Sequence, residues 1–212
     1  MRPELILWDW NGTLLDDVDL CVEALNWLLA QFGYPQRYDR AQYQGIFGFP
    51  IEDYYRRAGF DFSKDSFADL AERYMQFYIP HSMACPLAAD APAVLAAVRD
   101  AGCRQVILSA SPLTTLRRQA ENLQVTGWFD QLLGLSDIYA RSKVQLGRDW
   151  MARSGIDPAR AVLVGDTLHD AEVARELGAR CVLCAAGHQP RATLETAGVP
   201  VIDTLAGLPE LL

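Results

Sequence analysis

The chain has 212 residues, 50% of them hydrophobic and 22% charged, enough to bury a sizeable core and too apolar for a disordered tail. Lys and Arg number 19 against 27 Asp and Glu, a formal charge of −8. That balance argues against nucleic-acid or anionic-membrane partners, whose phosphates it would repel, but a local cation can still invert the field for a small anionic substrate.

No apolar run approaches the roughly 18 residues of a membrane span. The opening MRPELILWDW has three apolar residues before Trp and Asp, too few for a secretory signal. Cys21, Cys85, Cys103, Cys181 and Cys184 are odd in number and scattered, unlike a disulfide framework, so a reduced cytoplasm is the expected setting. Cys181 and Cys184 spell C-x-x-C inside a strand-like run, where a spacing of three puts the thiols on opposite faces as small buried hydrophobes.

In chain order, residues 4–8 form a short apolar strand that ends at Asp9 and turns at Gly12. Helical periodicity then takes over. Helices are expected over 18–32, 51–58 and 67–79, with no strand among them, and Pro80 and Pro86 mark the boundary that follows. From residue 91 onward helices (91–101, 112–123, 144–154, 168–177) alternate with strands (104–108, 131–133, 161–164, 180–185). This alternation predicts an α/β fold, a Rossmann-like parallel sheet with helices on both faces. The helical stretch is an insertion, which divides the chain into a core of residues 1–15 and 86–212 and a helical cap of residues 16–85.

Ligands of such sheets bind beyond the carboxyl ends of the strands. Asp9 and Asn11 follow the first strand, Ser109 and Ser111 the second, and Asp166 and Asp170 stand in GDTLHD after the strand at 161–164. Lys143, one of two lysines in the chain, lies between them. A lone Asp at a strand end is as often a turn or helix cap. The ordered set of acid, hydroxyl, lysine and acid pair is far more specific.

The segments LILWDWNGTLLDD, VILSAS, Lys143 and VLVGDTLHD resemble the four motifs of the haloacid dehalogenase superfamily, with the insertion in the position of that family's helical cap. GFP at 48–50 and PLAADAPAVLAAVRDAG are similar to its phosphoglycolate-phosphatase-like branch. The resemblance implies a Mg²⁺-dependent phosphatase acting on a small phosphorylated metabolite, with phosphoglycolate the default substrate. Asp9 would attack phosphorus to form an aspartyl-phosphate that water cleaves. Asp9, Asp166, the backbone carbonyl of Asn11 and Asp170 would serve the metal, a hard ion suited to oxygen ligands. Lys143, Ser109, Ala110, Gly12 and Thr13 would contact phosphate. Asp170 would hold a water ligand of the ion or orient Lys143, or act simply as a first-turn helix acid.

One position departs from the family pattern. Its phosphatases carry a second Asp two residues after the nucleophile as general acid/base, and here that residue is Asn11. An amide cannot deliver a proton, and lost acid/base help is worth on the order of 10²–10⁴ in rate. The enzyme is then slow, or prefers a better leaving group, or keeps its phosphoenzyme; Asp16 or His169 are candidates for the missing proton. The alternative reading is a decayed phosphatase that binds phosphate ligands as a regulator.

DWNGT also resembles the DWAGT of phosphonoacetaldehyde hydrolase, whose chemistry needs a cap lysine, and the single candidate is Lys64 in the polar DFSKDS. Trp8 is expected in the core; Trp10, past the strand end, either joins it or walls the site as a substrate contact. Phe47, Phe49 and Arg56 or Arg57 either read the substrate or serve ordinary packing and solvation. His81 and His188 show no metal-ligand spacing and read as surface or loop residues. Oligomeric state, monomer or homodimer, is open.

Overall fold

The structure is a computed structural model that describes residues 2–135 and 142–212. Six parallel strands form one sheet in the order β3-β2-β1-β4-β5-β6: β1 (Leu5–Trp8), β2 (Arg104–Pro112), β3 (Gln131–Leu135), β4 (Ala161–Gly165), β5 (Arg180–Cys184) and β6 (Val201–Ile202). The α/β reading therefore holds. β1 is central, with Trp8 in register with Ile107 on one side and Val164 on the other. The chain winds away from β1 in opposite directions, so the carboxyl ends of β1 and β4 frame the topological switch point where such sheets hold their ligands.

Alternation along the strands builds two cores. Ile6 and Trp8 pack with α5 (Ala91–Asp100), α6 (Leu113–Asn122) and the terminal 3₁₀ turns (Leu205–Leu211) on one face. Leu5 and Leu7 pack with α7 (Lys143–Ser154) and α8 (Leu168–Leu177) on the other. Cys181 and Cys184 fall into these opposite clusters. α9 (Arg191–Leu194) is a single turn beyond β5.

The helices α1 (Val18–Gln31), α2 (Arg40–Ile46), α3 (Ile51–Arg57) and α4 (Phe67–Ser82) bury a third cluster rich in aromatic rings. Two crossings join this layer to the sheet and run side by side. Leu15 bridges Leu87, and the Asp16 N–H donates to the Pro86 carbonyl at 2.9 Å.

The sequence reading missed α2, whose RAQYQGI has little apolar periodicity; its signal is a capping box in which Asp39 and Gln42 each accept from the other's backbone N–H. It also ended α4 too early. The helix passes through the exposed Pro80 because Ser82 is anchored: its hydroxyl donates to the Ile79 carbonyl at 2.9 Å and accepts from Gln119 at 2.9 Å. β6, two residues at the sheet edge, was too short to see.

Candidate active site

Asp9 leaves β1 with its N–H bonded to the Val164 carbonyl at 2.8 Å, which fixes its side chain at the switch point. Asp166 follows β4, and Asp170 sits in the first turn of α8 because Thr167 caps that helix and exchanges bonds with it. Oxygens of Asp9, Asp166 and Asp170 lie within 4.8 Å of one another. Lys143, the first residue of α7, is buried among them; its ammonium pairs with Asp9 and with Asp170, the latter at 2.6 Å. The other oxygen of Asp170 accepts from the Thr167 hydroxyl at 2.7 Å and the Thr167 and Asp166 N–H groups at 3.0 and 3.2 Å, so Asp170 positions Lys143 and serves the helix N-terminus at once.

A second group of buried residues adjoins this cluster, and sequence reasoning missed it. Asp17, just before α1, accepts from the Asn11 amide at 2.8 Å, the Tyr78 hydroxyl at 2.5 Å and the Gly12 N–H at 2.8 Å. His188, read from sequence as a surface or loop residue, is in a loop but buried, with Nε2 3.6 Å from Asp17. Its backbone N–H donates to Asp166 at 2.6 Å, Nδ1 pairs with the Tyr43 hydroxyl at 2.9 Å, and its ring stacks on Phe47 at 4.7 Å. Space here is short. A Cβ at Gly187 would collide with Asp166, and one at Gly12 with both Asp166 and His188. Gly12 also has φ +70°, a conformation that L side chains disfavour.

Four carboxylates therefore face two cations, Lys143 and His188. Burial pushes the Asp9 carboxyl up to about 8 against the pull of Lys143, with Asp170 and Asp166 adding repulsion. Burial likewise pushes Asp166 up to about 6, although His188 opposes it. Burial would neutralise His188, but Asp17 and Asp166 hold it protonated, at about 9. Asp17 is held below the usual carboxylate range in spite of burial, by His188, Tyr78 and Asn11. Lys143 is likewise held above its ordinary value despite burial, by Asp170 and Asp9.

The remaining expected residues divide. A cavity of about 290 Å³ opens from Asp9, Lys143, Asp166 and Asp170 into the helical layer, and Asn11, Ala110 and Phe49 line it. Trp10 does not. It is fully buried in the sheet core beside Trp8, and its indole N–H donates to Gln119 at 2.9 Å, so its place as a substrate contact is corrected to a packing role. Gly12 and Thr13 lie behind the wall: the Gly12 N–H serves Asp17, and the Thr13 hydroxyl donates to Asp166 at 3.1 Å. Their expected phosphate contacts become contacts that hold the carboxylates. The Ser109 hydroxyl, also behind the wall, accepts from the Ser111 N–H at 3.0 Å, and the Ser111 hydroxyl donates to the Asn11 side-chain carbonyl at 2.6 Å. Asp16 is exposed and outside the cavity, whereas His169 lines it, packed on Phe49 at 4.5 Å. Lys64 lies outside, over the Tyr34 ring.

The sequence pattern of the haloacid dehalogenase-like hydrolases matches residues 6–184. The chain belongs to that family and is an enzyme of the hydrolase class. It is 26% identical over 212 residues to the tyrosine-protein kinase PtkA of Mycobacterium tuberculosis, covering 99% of this chain and 71% of that protein. It is 25% identical over 195 residues to the phosphoglycolate phosphatase of Synechococcus elongatus, covering 92% of this chain and 89% of that one. A predicted phosphatase from Clostridium acetobutylicum superposes with a TM-score of 0.85 at 20% identity, covering 100% of this chain and 98% of that one, a likeness of fold. Among the described residues no helix is long and apolar enough to cross a membrane.

Proposed function

We propose that this hydrolase is a Mg²⁺-dependent phosphatase of a small phosphate monoester, working through an aspartyl-phosphate on Asp9. The observation that carries the reading is the buried triad Asp9, Asp166 and Asp170 around one ammonium, at the sheet end of a cavity. The phosphatase named among its relatives fits this reading.

The donors fit a hard divalent ion. All are oxygens, they converge, and burial together with their mutual repulsion raises Asp9 and Asp166, an excess of negative charge that a divalent ion would offset. Asp9, Asp166, Asp170 and the Asn11 carbonyl would hold it. When bound, Mg²⁺ supplies the positive charge that lets a carboxylate approach a phosphate dianion.

The chain's own residues do the rest. Asp9 is the nucleophile, placed by β1. Lys143 opposes the phosphate charge from the side facing Asp170, which keeps its ammonium aimed. The backbone at Ala110, which lines the cavity, would supply a donor to the equatorial oxygens, and Ser109, behind the wall, supports that turn through the Ser111 N–H. The helices α1 to α4 form the cap over residues 16–85 that shields the phosphoenzyme from bulk water. The kinase name of one relative is compatible with the same phosphoenzyme and another acceptor; the family's hydrolase character supports water.

Phosphate release from an aryl phosphate tests the proposal. Turnover with Mg²⁺, abolished by EDTA and reduced about 10⁴-fold or more in Asp9→Asn, is expected. Activity that survives Asp9→Asn would refute it.

A further inference from the structure

Beyond the carboxylates the cavity changes character. Its far wall includes Phe47, Phe49, Tyr54, Tyr74 and Met75, and among the described residues lining it Lys143 is the one Lys or Arg. The arginines expected to read the substrate are engaged elsewhere. Arg56 pairs with Glu52 at 2.6 Å and Asp53 at 2.7 Å, and the Arg57 Nε donates to the Ile46 carbonyl at 2.7 Å. The other cation on the wall, His188, is already paired with Asp17, so a carboxylate or second phosphate on the leaving group would lose its water here without gaining an unpaired counter-charge. An aromatic ring would instead meet faces and edges already arranged for ring contacts: Phe47 and Phe49 pack edge to face at 6.0 Å, and Phe47 and Tyr54 at 5.1 Å. The volume, about 290 Å³, is near the lower end of small-molecule sites, enough for a phosphate and about one ring.

An independent observation concerns Asn11. Its amide donates to Asp17 and Tyr78 at 2.8 Å each and its side-chain oxygen accepts from Ser111 at 2.6 Å. The Asp17 carboxylate can only accept, which fixes the NH₂ on that side, and a carboxylate at position 11 would meet Asp17 head on. The residue that lines the cavity two positions beyond Asp9 therefore carries no proton for a departing oxygen. An alkoxide needs one, whereas a phenolate, with a pKa of about 10, leaves far more readily without it.

Resting on the phosphatase reading above, we infer that the substrate is an aryl phosphate: the monoester of a phenol, its ring seated between Phe47, Phe49 and Tyr54 and bearing no further charged group. An Asp9 carboxylate oxygen bonds to phosphorus as the bond from phosphorus to the phenolic oxygen breaks, the electron pair leaving on the phenolate. Water then attacks phosphorus, the acyl phosphate bond breaks, and its pair returns to Asp9. One proton of that water reaches the phenolate through solvent, giving phenol and hydrogen phosphate.

Initial rates with Mg²⁺ on phenyl phosphate, a straight-chain alkyl phosphate and phosphoglycolate test the inference. The expected kcat/KM for phenyl phosphate exceeds both others by about 10²-fold or more, and Asn11→Asp narrows the aryl-to-alkyl ratio by about tenfold. Phe49→Ala, at a position 40% exposed and therefore mild for folding, raises KM for phenyl phosphate about fivefold to tenfold, more than it raises that of the alkyl ester. Phosphoglycolate or the alkyl ester as the better substrate, with Asp9→Asn inactive, overturns the inference and leaves the phosphatase reading standing. An unchanged KM in Phe49→Ala overturns the ring's seat. Release from none of the three overturns both readings.

Discussion

At the sheet end of the cavity, Asp9, Lys143, Asp166 and Asp170 touch mainly one another and hydrogen-bond donors supplied by Thr13, Thr167 and His188. At the helical end, rings touch rings: Tyr43, Phe47, Phe49 and Tyr54 form a continuous set of aromatic contacts that ends on His188 and His169. The first end is costly to bury and is held by partners from α7, α8 and the loop after β5. The second is favourable to bury, each aromatic pair adding about 0.5–1.5 kcal/mol beyond its area. Destabilising charge is concentrated where phosphorus would be attacked, and stabilising apolar contact where the rest of the substrate would sit.

Lys143→Ala strikes this contrast hardest. It leaves Asp9 and Asp170 buried without their cation, a loss of about 3–5 kcal/mol in denaturant unfolding, and it lowers phosphate release by about 10²–10³-fold. A loss below 1 kcal/mol would show that the carboxylates do not depend on that ammonium.

The pH dependence should be the next largest effect. Asp9, Asp166 and His188 all have folded-state values raised above 3.8, 3.8 and 6.5, to about 8, 6 and 9. For a raised group, stability is fully present below the unfolded value and is lost as pH climbs through the folded one. Asp17 and Asp170 are lowered, so their contribution is already complete above the ordinary carboxylate range, and Lys143, raised, keeps its contribution through this window. The metal-free protein should therefore show a Tm that falls steadily from pH 5 to pH 9. Mg²⁺ should raise Tm by an increment that grows with pH, as it replaces protons among the carboxylates. A pH-independent increment would place the ion elsewhere.

Trp10→Phe should have the smallest effect on function. It leaves Gln119 without a donor in the sheet core, for about 1–3 kcal/mol of stability, while KM and kcat stay at the wild-type values. A changed KM would return Trp10 to the cavity wall.

The half of the site that was legible in sequence is the half built on strand ends. Asp9, Ser109 and Asp166 follow short apolar runs whose periodicity is plain, and Lys143 stands out as one of two lysines. Asp17, Tyr78 and His188 were not legible, because what defines them is tertiary. Tyr43 and His188 meet across 145 residues of chain, and the Asp17 network joins the turn after β1 to the end of α4 and a loop beyond β5. Of the two expected proton sources near Asn11, Asp16 is exposed and outside the cavity while His169 lines it; the buried acid beside Asn11 is Asp17, held below the usual carboxylate range and so an acceptor. Trp10 is ambiguous from pattern alone, since a residue just past a strand end can turn either way; its hydrogen bond to Gln119 decides it.

The central claim is that Asp9 becomes phosphorylated during turnover. Rapid acid quench of the enzyme with phenyl phosphate and Mg²⁺, followed by mass spectrometry of its peptides, tests that most directly. The account predicts one phosphoryl group on the peptide containing Asp9, absent from Asp9→Asn and lost again as substrate is exhausted. Turnover with the phosphoryl group on another residue, or with none on Asp9 at any quench time, would contradict it.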